Sequence, residues 1–577
     1  MFRRISHLVL LAALAAAAGS TRADDLHAPA PCLPEKDSFP SSRGGDGWAT
    51  IGKSPLWGGC GCTSSRVYHV YNRAQLVRAL TRDPTKLTRD NRLDHRAKII
   101  YVHGTIDLNV NDHGQPLREE DYMRLCGYTA HSTFYDPVTG NQTGTGGFFG
   151  AYKAAYDPTL WIRQSLDPAD NRPPALSGPL EEARLCFQKK QEERIVVYVG
   201  ANTSLIGVGP DARIVNGSLR VGYAGTPANP ALDYFARNVV IRNITFADSF
   251  DMFPSWDPKD SFSITITNTN GCQATYDAAT DSGPHRCTFR GGRWNSEYDN
   301  ISVMNAEQVW IDHNTFTDEP RLDSLFPPVF AAPFNESTQK VQHHDGNVDV
   351  TLLGSKVTIS WNRFVRHDKT NLLGGSDVAG LVPGYGPGKI DVTFHHNYYE
   401  RTVQRMPRVR FGRVHVFNNY YDQDRNSSAP YRLGDTWQDG TAGKLVTENN
   451  LIDIRNSNLT IPRIVNYAST LANRDLCVAA GWALAECGTY LFDQGTWVTM
   501  IAPTATTTTL FDAFAALQTI VGGSASNAPL LPLSPTDPAS FWFPTRDYAY
   551  TLAPVATADE QNALRATVLA GAGAGKL

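Results

Sequence analysis

The chain has 577 residues and nearly balanced charge, with 53 Lys and Arg against 57 Asp and Glu and a formal net charge of −4. That balance lacks the strongly basic footprint of a nucleic-acid binder, although a local cationic cleft can still hold a polyanion. Globular cores stop growing near roughly 250–300 residues, so this length means either several domains or a stacked repeat, whose core lengthens without thickening.

The N-terminus, MFRRISHLVLLAALAAAAGSTRADD, has two arginines, an apolar run from His7 to Ala18 and then small residues. The run is short of the roughly 18 residues a spanning helix needs, so it predicts a secretory signal peptide over 1–23. The mature protein is then extracellular, with no membrane partner. Residues 24–46 are Pro-, Gly- and Ser-rich and read as a loose leader. Secretion permits disulfides: Cys272–Cys287 and Cys477–Cys487 are expected as local staples and Cys126–Cys186 as a longer one, with one of Cys32, Cys60 and Cys62 left over. Cys60-Gly-Cys62 lacks zinc-ligand spacing.

Asn72–Leu80 has an Asn cap and helical apolar spacing, a short helix suited to covering one end of a core. KIIYVHGTIDL (98–108) and IVVYV (195–199) read as strands, and residues 109–193 between them as an insertion outside the core. From Asn202 the chain becomes quasi-periodic: VVIRNITF, VWIDHNTF, VTISWNRF, VTFHHNYY and VHVFNNYY begin at Val239, Val309, Val357, Val392 and Val414. Period-2 alternation makes each a strand with one buried face. Asn314, Asn362, Asn397 and Asn419 share one register and mark a recurring turn, where Asn bonds the backbone and tolerates left-handed geometry. Short strands at this period, with no room for helices between them, predict an all-β parallel β-helix. The β-helix spans 47–455, and 456–577 reads as a C-terminal extension covering it.

The chemistry concentrates between Gln342 and Gly412. Asp345 and Asp349, four residues apart in DGNVDV, project from one strand face. Glu297 and Asp299 open the equivalent strand one coil earlier, and acids on neighbouring coils converge at strand spacing. Oxygen-only donors without nearby cysteine suit a hard cation, Ca²⁺ before Mg²⁺. Lys369 follows one coil later, and Arg405 and Arg410 bracket the strand after that. Trp310, Asp312 and His313 sit inside a core repeat, and Asp312 and His313 read as a buried polar network rather than catalytic groups. His343, His344, His367, His395 and His396 lack HExxH spacing, which argues against zinc.

The motifs GANTSLIGVG, NVVIRNITF, VWIDHNTF, QHHDGNVDV, HDKT and QRMPRVRFG, in that order, resemble those of the calcium-dependent pectate lyases. The resemblance runs from Gly47 to Asp422, with a familiar AGAGKL at the end. It implies a right-handed parallel β-helix with an N-terminal helix cap and a C-terminal covering arm. It further implies a monomer that cleaves polygalacturonate (pectate) by Ca²⁺-assisted β-elimination. Carried over by motif, Asp299, Asp345 and Asp349 are metal ligands and Glu297 an additional one. Arg405 is the proton-abstracting base, and Lys369 and Arg410 bind the substrate carboxylate. An arginine base needs a strongly cationic setting, because guanidinium normally stays protonated. The loops 376–388 and 319–342 depart from the family pattern. A pectin lyase on the same fold would act on methylated polymer without calcium and generally replaces these acids. A non-catalytic β-helix adhesin or carbohydrate-binding protein would explain the repeats but not Lys369 and Arg405.

Overall fold

The computed structural model describes residues 47–576 except 53–55, 82–92, 129–146, 156–176, 224–234, 258–262, 268–285, 291–292, 327–340, 382–384, 427–429, 457–463, 503–505, 512–541 and 543. The expected signal peptide and leader, Cys32 and Cys272 lie outside these residues.

The periodic segments stack as parallel strands, each coil giving three. One such coil is Ile301–Met304, Ala306–Asp312 and Thr315–Thr317; the next is Val348–Thr351, Val357–Ser360 and Arg363–Val365. The middle strands align Val239, Val309, Val357, Val392, Val414 and Leu445 in one file. The first strand of each coil joins an eight-stranded sheet running from Val196–Val199 to Val465–Tyr467, hereafter the site sheet. The fold is a parallel β-helix, as the repeats predict. Its strand pairing continues past residue 455, through Tyr490–Gln494 and Trp497–Ile501, before antiparallel Thr506–Leu510 ends it.

The core is filled by files of like residues. Phe246, Phe316, Phe364, Tyr399 and Tyr421 stack at centroid spacings of 5.4, 5.0, 4.8 and 4.7 Å, each pair worth about 0.5–1.5 kcal/mol beyond its buried area. Beside them Asn314, Asn362, Asn397 and Asn419 form a buried ladder. Each donates its side-chain N–H to the next Asn Oδ1, at 2.9–3.1 Å, and the ladder ends on Asn450. The turn geometry differs from expectation in one respect. The left-handed residues are those just before the ladder, His313, Trp361, His396, Asn418 and Asn449. That reversal aims each following Asn inward, where it serves as a strut.

The helix Arg73–Leu80 is capped by Asn72, whose side chain accepts from Gln75 N–H, and it buries Leu76, Ala79 and Leu80 against the first coils. The described parts of residues 109–193 hold more regular structure than their composition suggests. Helices Glu119–Leu125, Gly147–Ala155 and Pro179–Ile195 form a satellite core with Phe250, Phe253 and Trp294, and Cys126–Cys186 ties the first to the last. Cys477–Cys487 also forms.

The C-terminal arm covers the outside of the coils. Helix Ala558–Gly571, opened by a Thr557–Glu560 capping box, sets Leu564 and Val568 on Tyr398, Tyr420 and Leu451. The tail then climbs across the Asn corner: Gly573, Ala574 and Gly575 donate backbone N–H groups to Trp361 O, Thr315 Oγ1 and Asn243 Oδ1. Gly573, at φ 108°, has a conformation that side chains rarely adopt.

Candidate active site

Asp299, Asp349 and Lys369 lie on successive coils of the site sheet. Ile301 pairs with Val348, which sets Asp299 beside Gly346, and Gly346 bridges to Lys369 and Lys369 to Gln404. The strands begin later than the alternation suggests, at Ile301 and Val348. Asp349 therefore stands on its strand, while Glu297, Asp299 and Asp345 lie in the turns leading in.

Two carboxylates are held firmly. Asp299 accepts from Ser302 Oγ (2.6 Å) and Gly346 N–H (2.8 Å), and Asp349 accepts from Leu372 N–H (3.0 Å). They converge over Gly346: a Cβ there would stand 2.3 Å from Asp349 Oδ1 and 2.8 Å from Asp299 Oδ1. This closeness is electrostatically unfavourable. Burial and then Asp345 push the Asp299 carboxyl up to about 6. Burial, then Asp299 and Asp345, hold Asp349 well above the carboxylate range, a rise that Arg405 partly offsets. Glu297 reaches solvent at the rim, yet desolvation by the surrounding walls and then Asp345 raise it too. Such a group of oxygen donors fits a hard divalent cation, whose charge would remove the mutual repulsion. Asp345 turns toward Lys369 and forms an ion pair with it. Correspondingly, Asp299, Asp345 and Asp349 do not form a closed cage. The described group of three whose donor atoms all lie within 4.8 Å of one another is Asp318, Asp323 and His344.

The arginines occupy the next coil. Lys369 pairs with Gln404, yet Leu372 pairs with Arg408, so the later strand carries one extra residue. The extra residue is absorbed near Arg405, at φ 60°, a bulge that re-aims a side chain out of the regular alternation. Its backbone is pinned, with its carbonyl accepting from Asn371 N–H (2.7 Å), while its Nε has no hydrogen-bond partner. Arg410 is buried, donates to Gly374 O (2.8 Å) and pairs with Asp377 (3.0 Å). Burial, then Arg410 and Arg405, bring Arg408 down to about 10; burial and Arg405 also lower Arg410, against Asp377.

The structure thus gathers Glu297, Asp299, Asp345, Asp349, Lys369, Arg405 and Arg410 on successive coils, on or beside the strands of one sheet. Asp312 accepts from Ser360 Oγ (2.7 Å), bonds His313 Nδ1 (2.7 Å) and pairs with Arg242 (3.2 Å), the buried network expected there. Three contributors were not singled out from the sequence. Gly346 is marked only by its place after Asp345, and Ser302 only by its place three residues after Asp299. Asp377, in the divergent loop 376–388, shares itself between Arg410 and Arg408 (3.5 Å), and no local pattern marks it.

A family model described as pectate lyase matches residues 284–474. A curated pectate lyase from Bacillus subtilis (strain 168) is 36% identical over 409 residues, 71% of this chain and 75% of that protein. Among solved structures, the pectate lyase of Acidovorax avenae subsp citrulli superposes with TM-score 0.69 at 35% identity, over 94% of this chain and 97% of that one. A pectate lyase bound to a hexasaccharide superposes with TM-score 0.63 at 31% identity, over 94% and 100%. Identity at this level, across three quarters of a curated relative and over the coils that carry the acids and arginines, means that the chain belongs to the pectate lyase family.

Proposed function

We propose that the protein is an extracellular, calcium-dependent pectate lyase, acting as a monomer on α-1,4-polygalacturonate and releasing 4,5-unsaturated oligogalacturonides. The observation that carries this reading is the convergence of Asp299 and Asp349 over Gly346, with Lys369 on the next coil and Arg405 on the coil after that. Asp299, Asp345 and Asp349 would hold calcium, with Glu297 as a further ligand once substrate is present. Bound there, the ion would neutralise a uronate carboxylate and so acidify the adjacent C5 proton.

The remaining roles fall to the cationic side chains. Lys369 and Arg410 bind and orient the uronate carboxylate by charge-assisted hydrogen bonds, which Asp345 and Asp377 occupy in the free protein. Developing negative charge on that carboxylate is then met by fixed cations. Arg405 removes the C5 proton as the bond from C4 to its glycosidic oxygen breaks. Arg405 stands among further guanidinium groups, Arg408 and Arg410, whose pKa values its charge lowers.

The test is ultraviolet absorbance with polygalacturonate at alkaline pH, with and without calcium. A rise from the unsaturated product that chelator abolishes supports the assignment. A chelator-insensitive rise favouring methylated pectin would replace it with a pectin lyase, and a rate maximum at acidic pH would remove Arg405 as base.

A further inference from the structure

A second cluster lies behind the cleft, in the turn that precedes the site sheet. Asp318 and Asp323 come from the segment after strand Thr315–Thr317, and His344 from the segment leading to Asp345. Their exposures are 1, 5 and 4%, and each offers one donor atom to a common point. His344 Nδ1 is buried with no hydrogen-bond partner. It faces Asp323 Oδ1 at 3.8 Å and Asp318 Oδ2 at 3.9 Å, too far for hydrogen bonds. A four-coordinate ion with bonds of about 2.0–2.2 Å spaces its ligands by roughly 3.3–3.6 Å, close to this gap.

The groups behind these donors are arranged as a metal site requires. A ligating histidine characteristically donates its other ring N–H to a carboxylate, which fixes ring orientation. His344 Nε2 donates to Asp248 Oδ1 (2.9 Å), and Asp248 is itself held by Arg321 (2.7 Å). Asp318 receives His367 Nδ1–H on Oδ1 (2.6 Å) and Tyr431 O–H on Oδ2 (3.2 Å), and Asp323 N–H donates to Tyr431 Oη (3.0 Å). Asp248, the partner of His344 Nε2, also lines a cavity of about 500 Å³ together with Arg118, Arg213 and Arg321.

We propose that Asp318, Asp323 and His344 bind a zinc-class transition dication, at a site separate from the oxygen-only acids of the cleft. One imidazole with two carboxylates suits such an ion better than calcium, which takes oxygen ligands. The ion ties the Asp318–Asp323 turn to the segment that delivers Asp345 and Asp349, so it holds the cleft in place without touching substrate. Spacing along the sequence conceals the site, because His344 stands 21 residues beyond Asp323 and the three donors follow no helical motif.

The test uses the full chain, stripped with chelator, loaded with zinc in the presence of excess calcium and desalted. About one zinc ion per chain should remain by mass spectrometry, in wild type and in Asp345→Asn, and zinc should raise the melting temperature. Asp323→Asn and His344→Gln should bind zinc at least about tenfold more weakly. Cobalt in place of zinc should give the intense visible bands of a four-coordinate site in wild type and not in Asp323→Asn. Wild type that retains no zinc, or zinc retention unchanged in Asp323→Asn, would overturn the proposal and leave the cluster a closed ion-pair network. Should His344→Gln fail to fold, Asp323→Asn decides alone, since it preserves size and hydrogen-bonding capacity.

Discussion

Two polar files climb this β-helix on the same coil spacing and behave in opposite ways. The Asn ladder is neutral, and each side chain donates to one neighbour and accepts from the other, so every coil satisfies the one before it. The site sheet carries charge, and only part of it is paired within the sheet, as in Lys369–Asp345: burial and then Asp345 raise Asp299, burial and then Asp299 and Asp345 raise Asp349, and burial and then Arg410 and Arg405 lower Arg408. A repeating backbone can therefore stack either kind of group. Neutral amides convert the repetition into stability, whereas like charges convert it into an unmet demand for a ligand of opposite sign.

The sharpest way to separate the two files is to cut each once. Arg405→Ala should lower the rate of unsaturated-product formation by roughly 10²–10⁴-fold, the range for loss of a general base, with the melting temperature little changed. Asn362→Ala should do the reverse. It removes the acceptor for Asn314 N–H and Nδ2–H and the donor to Ile311 O. Each buried group left unmet costs about 1–3 kcal/mol, so urea unfolding should show a loss of about 3 kcal/mol or more, with turnover below the transition near wild type. A large stability loss in Arg405→Ala, or a large rate loss in Asn362→Ala, would erase the distinction.

A smaller effect tests whether the acids repel. In chelator, Asp349→Asn should raise the melting temperature, because Asn still accepts from Leu372 N–H without carrying the charge that burial, Asp299 and Asp345 oppose. The same variant should weaken calcium binding, so added calcium would reverse the ranking of the two proteins in a thermal melt. Gly346→Ala should weaken calcium binding as well, since the new methyl would force apart the oxygens at 2.3 and 2.8 Å. Calcium affinity equal to wild type in Gly346→Ala would mean that these carboxylates do not share an ion.

The contrast also accounts for what could be read from the sequence. The ladder was legible because core geometry imposes both alternation and Asn at one register, from Asn314 to Asn419. Asn450 escaped because Thr447 and Ile452 stand where an apolar and an aromatic residue would complete the motif. Site types were legible in order, since strand stacking turns sequence order into spatial order. The bulge at Arg405 and the pairing of Arg410 with Asp377 were not, because both depend on register and on contact between separate loops. The satellite core was hidden for a related reason: the described helices of 109–193, including Pro179–Ile195, bury aromatic faces on one another and on Phe250, Phe253 and Trp294, outside the files of the repeat.

The smallest expected effect concerns the ladder's corner residues and sets their pH response against that of the charged file. His396, left-handed and stacked on Trp361 at 4.4 Å, is brought down to about 3 by burial and then by His395. In the unfolded chain it titrates near the ordinary value of about 6.5. Above that pH neither state binds the proton, and stability is unaffected. As pH falls from about 6.5 toward 3, the unfolded chain takes up a proton that folded His396 excludes, so stability declines across that window. With partial solvent access the share of this one residue should be about 1 kcal/mol at pH 5. Urea titrations at pH 7 and pH 5, in wild type and His396→Gln, isolate it. The variant should show the shallower decline, because Gln fills the space and does not titrate. An unchanged slope would mean that His396 accepts the proton in the fold, and that the corner tolerates charge as the site sheet does.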